Sequence, residues 1–414
     1  MAKNKYLNGV VPMALINFAI GSVYCWTLFK EDIWAYTGFG PAVTSWSFSI
    51  AIFFLGMSAA FGGKLVEKNP TRSAFWTFVT FTLGWFVTGA GIQMRSAAVV
   101  ILGFGVIQGI GLGLGYITPV KTMMIWFGNR KGLAAGLSIA AFGVSGVLIN
   151  PLVAFLLDRL AVYNAFYVLA AVFGVGLFAA SRLLWRPPTS QADLEAEKAV
   201  ASTTFSVKSV VLSKKFIFLW IVFFLNITGG LALISHEKQL YNAAGERAMG
   251  MILLFVMVTA SSNVIGRVAL GAYQDKTPKK HQPYFLMTIA SIAATAVAAM
   301  FSDSVAATFG LVIVIQFMFG VGFACIPNIL HQNWGISRLS TVHGLILSAW
   351  AAAGLVGNQI SSFFLYGSGA QPLYVTLVVL YSVQLVALIV WVRVRKRDRS
   401  DADAPTTTPV ALAA

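Results

Sequence analysis

An arginine stands inside a long apolar run. The stretch that begins near Met249 continues through "GRVALGAYQDKTPKK" from Gly266 and places Arg267 about two turns before Asp275, within what reads as one buried helix. A guanidinium in such a place can be neutralised by a carboxylate, can snorkel to an interface, or can hold an anion, because its planar fork matches a carboxylate with two parallel hydrogen bonds. The acids decide between these fates. Every Asp and Glu, from Glu31 and Asp32 through Asp158, Glu237 and Asp303 to the tail, falls in a segment that reads as a loop or a helix end. With no protein counter-ion expected in the apolar interior, the chemistry predicted is capture of an anion, and the missing carboxylate belongs to the ligand.

Other features compete for a chemical role, and each has a plainer reading. "GIGLGLGY" at 109–116 imitates a dinucleotide loop but lies in an apolar helix with no strand before it, so close helix packing explains it. "HEKQL" from His236 opens like a zinc protease motif, lacks the second histidine, and reads as an extracellular loop. Asn226 with Thr228 has the glycosylation pattern but sits inside an apolar span, and Cys25 and Cys325 lie on different spans, which argues against a disulfide or a metal site. Lys121 is read as a snorkelling lysine with ligand as the alternative, and His331 and His343, flanking an inner loop, are candidates for coupling with a solvated structural role as the alternative. No paired aspartate, nucleophile elbow or metal set is present, so neither an enzyme nor a cofactor is expected.

The elements that must position Arg267 are membrane helices. Hydrophobic residues make up 58% of the chain and charged residues 10%, with a mean hydropathy of +0.78; soluble domains carry roughly a quarter charged residues. Spans near the roughly 20 residues that a bilayer core demands recur at 10–28, 44–63, 74–94, 99–122, 133–157, 163–184, 216–234, 249–272, 284–301, 305–328, 345–366 and 373–394. An all-α fold of twelve transmembrane helices is predicted. Lys64, Lys68, Arg72, Arg130, Lys131, Lys214, Lys215, Lys276, Lys279, Lys280 and Arg338 fall on one side of that topology and Lys30, Arg95, Arg159, Lys238 and Arg247 on the other, so both termini are expected in the cytoplasm. The net charge of +15 follows this topology and points to a membrane surface, not to nucleic acid. The first span has no small-residue cleavage site and reads as a retained helix.

One offset repeats along the chain. It carries Gly63 onto Gly271, Glu67 onto Asp275, Lys68 onto Lys276, Pro119 onto Pro327, Trp126 onto Trp334, Arg130 onto Arg338, Gly136 onto Gly344, Gly146 onto Gly354 and Asn150 onto Asn358. The shift spans six helices, an even number, so the copies are parallel repeats related by an axis along the membrane normal, the major facilitator arrangement. The expected units are a half at 1–185, a linker at 186–215 containing "PPTSQADLEAEKA", a second half at 216–394 and a tail at 395–414. Gly63, Glu67, Lys68, Gly271, Asp275, Lys276, Arg130 and Arg338 form a candidate conformational switch: the glycines admit close helix approach, and the charges bind helix termini in one state and release them in another.

With these residues in view, the chain resembles the oxalate/formate antiporter family of the major facilitator superfamily and, more distantly, the monocarboxylate transporters. The likeness covers nearly all of the chain except linker and tail, and rests on "GSVYCWTLF", "WFGNRKGLAAGL", "SNVIGRVALGAYQDK" and "HGLILSAWAAAGLVG". It implies that Arg267 binds the substrate carboxylate, with Tyr24, Tyr116, Phe142, Phe319 and Phe323 enclosing it; the residues alone would equally suit helix packing. The oxalate-exchanging branch has a lysine where this chain has Trp350. That departure implies a monocarboxylate such as lactate, pyruvate or formate, carried by a monomer in the inner membrane as proton symport or anion exchange. An oxalate-type dicarboxylate exchanger and a carboxylate sensor are the alternatives.

Overall fold

The computed structural model describes residues 4, 6–62, 65–66, 69–126, 131–185, 206–334 and 339–403, and among these every regular element is helical. The first six long helices are α1 (Tyr6–Thr37), α2 (Pro41–Phe61), α3 (Pro70–Gln93), α4 (97–126), α5 (Lys131–Arg159) and α6 (Val162–Leu183). The second six are α7 (Lys214–Ile234), α8 (Met249–Lys276), α9 (Gln282–Met300), α10 (Val305–Trp334), α11 (Leu339–Gly367) and α12 (Ala370–Asp403). Eleven of them contain a stretch long and apolar enough to cross a membrane; α11 is of similar length, its apolar content diluted by Gly, Ser and Asn. Helices are the answer this composition forces, because hydrocarbon offers no partner for a backbone N–H or C=O.

Local chemistry sets the helix ends. Gly38, at φ +78°, closes α1, and Pro41 opens α2 in the first turn, where no N–H is needed. The Asn69 side chain caps α3 by accepting from Arg72 N at 2.9 Å, and Ser213 caps α7 by accepting from Phe216 N at 3.2 Å. Each expected span coincides with one helix, but several helices run further: α10 continues to Trp334 and α12 to Asp403, because main-chain hydrogen bonding does not stop at the hydrocarbon boundary. Within α1 the winding tightens into a 3-10 turn at Ser22–Cys25, which carries Tyr24.

The two sets of six meet along two seams, α2 against α11 and α5 against α8. On the first, Ser45 Oγ lies 2.9 Å from Ser362 Oγ, and Asn358 Nδ2 and Gln359 Nε2 each donate to Ser49 Oγ at 3.0 Å. Further along, Gly354 faces Ile52, Gly56 faces the Ala351 backbone, and Gly344 faces Ala60. On the second seam, Gly143 packs on Val264 and Gly146 on Ala260. Small residues let the helix axes approach.

One reading of the sequence is corrected. "HEKQL" is not an extracellular loop: Glu237–Ala243 is a short helix folded into the protein, and His236, Glu237, Lys238, Gln239, Leu240 and Tyr241 are all buried. The segment can be buried because its polar groups find partners. Lys238 Nζ pairs with Glu31 Oε2 at 2.9 Å, Asn242 Nδ2 donates to Glu31 Oε1 at 3.0 Å, and fully buried Lys30 donates to the Ser235 carbonyl. Lys30 and Lys238, expected as surface charge, are therefore interior. Of the expected switch, Gly63, Glu67, Lys68, Arg130 and Arg338 lie outside the described residues, as do the Lys121 and Asp275 side chains and residues 186–205 of the expected linker. Gly271 faces Ala324 of α10, and Lys276 is exposed at the end of α8.

Candidate functional site

Arg267 is 5% exposed on the inner face of α8, level with α5 and α10. Its Nη1 donates to the Ile139 carbonyl of α5, bridging the halves, and its guanidinium carbon lies 5.8 Å from the ring centres of both Phe142 and Phe323. Among the described residues no carboxylate pairs with it, and its Nε has no hydrogen-bond partner. A buried cation held only by a carbonyl and two aromatic faces has capacity left for an anion.

The aromatic residues named from the sequence form a closed circuit around this cation. Tyr24 meets Phe142 at 5.5 Å between ring centres, Phe142 meets Tyr116 at 6.1 Å, and Tyr116 meets Trp350 at 5.2 Å. Trp350 meets Phe323 at 4.6 Å, Phe323 meets Phe319 at 5.1 Å, and Phe319 returns to Tyr24 at 6.4 Å. These rings come from α1, α4, α5, α10 and α11, so both halves contribute. The Tyr24 hydroxyl and Trp350 Nε1 are buried without a partner among the described residues. Two unmet polar atoms and an unmet guanidinium nitrogen thus share one apolar cage, an arrangement that suits a small ligand with one anionic end and an apolar remainder.

Beside the cage lies a second polar group that sequence reasoning missed. A cavity of about 30 Å³, room for about one water, is lined by Tyr24, Asn150, Glu237, Asn263 and Gln316. Glu237, 2% exposed, accepts from Gln316 Nε2 at 2.6 Å and has Thr259 Oγ1 2.9 Å from Oε2. Asn263 Nδ2 in turn donates to Gln316 Oε1 at 3.1 Å. Thr259, Asn263 and Arg267 recur every fourth residue, so they share one face of α8. Burial pushes the Glu237 carboxyl up to about 8, against the hydrogen bonds from Gln316 and Thr259 that pull it down. A usable signal was present: "SHEKQLY" has no Gly or Pro, so nothing in it specifies a turn.

Gly320 sets the seat of Arg267. A methyl group there would lie 2.3 Å from the Asn263 carbonyl oxygen and 3.0 Å from Arg267 Cγ. Gly320→Ala is expected to force α10 off α8 and cost about 1–3 kcal/mol. The check is thermal unfolding of the purified protein, which should show a lowered midpoint; an unchanged midpoint would mean the contact relaxes freely.

A family model described as Major Facilitator Superfamily matches residues 10–358. The chain is 22% identical to the oxalate:formate antiporter of Oxalobacter formigenes, over 87% of this chain and 84% of that one. It is 22% identical to the MFS-type transporter YhjX of Escherichia coli (strain K12), over 81% and 83%, and 26% identical to apicoplast pyruvate carrier 1 of Toxoplasma gondii, over 72% and 71%. Among solved structures, FucP, a Major Facilitator Superfamily transporter in the outward conformation, matches with a TM-score of 0.58 at 13% identity, covering 92% of this chain and 99% of that one.

Proposed function

The chain belongs to the Major Facilitator Superfamily, and from that premise we propose that it carries small monocarboxylates by alternating access about Arg267. It is a multi-pass secondary transporter of a family of transporters, not enzymes. One observation carries the choice of cargo: a buried guanidinium without a carboxylate partner, inside an aromatic cage drawn from both halves. The names of two relatives, an oxalate:formate antiporter and a pyruvate carrier, agree with a carboxylate.

The cage favours one charge. Trp350 closes it with an indole that Tyr116 and Phe323 contact at their edges, leaving Arg267 as its sole cation among the described residues. A monoanion with an apolar part matches that content; a dianion would bury its second charge against rings. Substrate binding neutralises Arg267, which lowers the cost of closing the cage away from water. Residues 1–185 and 216–394 are the bodies that tilt, with both termini in the cytoplasm.

The test is counterflow. Proteoliposomes loaded with unlabelled lactate, pyruvate, formate, acetate or oxalate are expected to take up labelled lactate when a monocarboxylate is inside and weakly when oxalate is. Silence with every anion would overturn the carboxylate reading, and equal stimulation by oxalate would overturn the preference for one charge.

A further inference from the structure

Glu237 is a buried acid that the carboxylate reading leaves unused. Its surroundings describe which form it takes. Thr259 Oγ1 is 2.9 Å from Glu237 Oε2 and 3.0 Å from the Val256 carbonyl oxygen. A hydroxyl has one proton and a carbonyl can only accept, so both contacts are made at full strength only when Oε2 itself carries a hydrogen. Oε1, the other oxygen, accepts from Gln316, as the carbonyl oxygen of a neutral acid does.

The surrounding groups leave that proton without a competitor. On α1 the titratable group beside the cavity is Tyr24; on α8 and α10 the facing groups are the neutral Thr259, Asn263 and Gln316, and on α5 the neutral Asn150. On its own segment, Lys238 is paired with Glu31, Tyr241 is a buried phenol, and the His236 ring turns to Ser235 Oγ at 3.0 Å and to Tyr366. Lys30 is held by the Ser235 carbonyl. Among the described residues no cation pairs with Glu237.

We infer that Glu237 is the proton-binding site of the transport cycle, loaded together with the carboxylate on Arg267, which makes the protein a proton-coupled symporter. The step is an O–H bond formed at Oε2 with a proton from the solution at the open mouth and broken toward the solution at the other. Nothing is oxidised or reduced. The charges explain the coupling. Loaded, the site holds Arg267 with its carboxylate and a neutral Glu237; unloaded, it holds a cationic Arg267 and an anionic Glu237. Both forms have no net charge, so both can close and return, whereas a carrier with only one of the two ligands buries an unmatched charge. Gln316 and Asn263 link the two sites, Asn263 standing one turn from Arg267 on the same face of α8.

The raised carboxyl sets the working range. Burial raises the carboxyl to about 8, so its neutral form is favoured at acid pH and is lost as pH rises through that value.

The inference rests on the carboxylate reading, and one experiment separates them. Wild-type and Glu237→Gln proteins in proteoliposomes are given labelled lactate, first in counterflow and then under an imposed pH gradient, acid outside. Wild type is expected to run both, with accumulation falling above about pH 8. Glu237→Gln, a fixed mimic of the neutral acid, is expected to lose the pH dependence of counterflow and to lose gradient-driven accumulation at least tenfold. Accumulation by Glu237→Gln equal to wild type would overturn the proton site, as would wild-type counterflow with no response to the gradient. Wild-type silence in counterflow would overturn the carboxylate reading instead. Should the variant fail to fold, lactate added to detergent-solubilised wild type near pH 8 is expected to draw protons from a weakly buffered dye solution, and no uptake in that assay overturns the inference.

Discussion

Arg267→Ala is expected to reduce carboxylate counterflow by more than a hundredfold while leaving the protein folded in the membrane. A charged hydrogen bond lost from a buried partner costs about 1.5–3 kcal/mol, roughly ten- to a hundredfold in binding. The same residue also holds the Ile139 carbonyl across the α5–α8 seam, so closure suffers as well as capture. Stability should move the other way. A guanidinium in a bilayer interior costs at least about 2.5–3.5 kcal/mol, and among the described residues no carboxylate pairs with it directly. The thermal midpoint of the ligand-free variant is therefore expected to equal or exceed that of wild type. Arg267→Lys keeps the charge but not the fork, and should bind weakly. Normal counterflow in Arg267→Ala would remove the anion site from this position.

The second large effect is a change of cargo. Trp350 is 1% exposed, between Tyr116 and Phe323, and its ring nitrogen is unpartnered among the described residues. Trp350→Lys removes the indole and sets a second ammonium in the cage. Opposite charges 4 Å apart attract by about 4 kcal/mol at an effective dielectric of 20, and much of this is lost to desolvation. A net tenfold or greater gain in oxalate competition is expected, with lactate counterflow falling in parallel. The measurement is the ratio of oxalate to lactate needed to halve labelled uptake in each protein; an unchanged ratio would mean that α11 does not face the ligand.

Much of this was legible before any coordinates. The apolar spans located each long helix because hydropathy and backbone satisfaction are local requirements, and Arg267 stood out because so little charge surrounds it. The internal offset, which relates residues such as Pro119 and Pro327 or Asn150 and Asn358, is the ground for the proposed division into halves. What escaped was set by tertiary folding. Glu237 belongs to a short polar segment, and only the partners supplied by α1, α8 and α10 make its burial tolerable. The burial of Lys30 has the same origin: its partner is a carbonyl far along the chain, invisible to a window of local sequence. The 3-10 turn that presents Tyr24 left no Gly or Pro at 22–25 to betray it.

The α2–α11 seam has a consequence for how often the protein opens. Its polar contacts are serine hydroxyls and two side-chain amides, and glycines let the helices approach. Water can replace each of those hydrogen bonds, and the net worth of one is only about 0.5–1.5 kcal/mol. Exchanging the hydrogen bonds at one end of such a seam for water therefore costs a few kcal/mol, the scale of a two-state equilibrium whose minor form is populated on the order of 0.1–10%. Thermal fluctuation alone then samples the open forms, and the solute's part is to bias which of them persists.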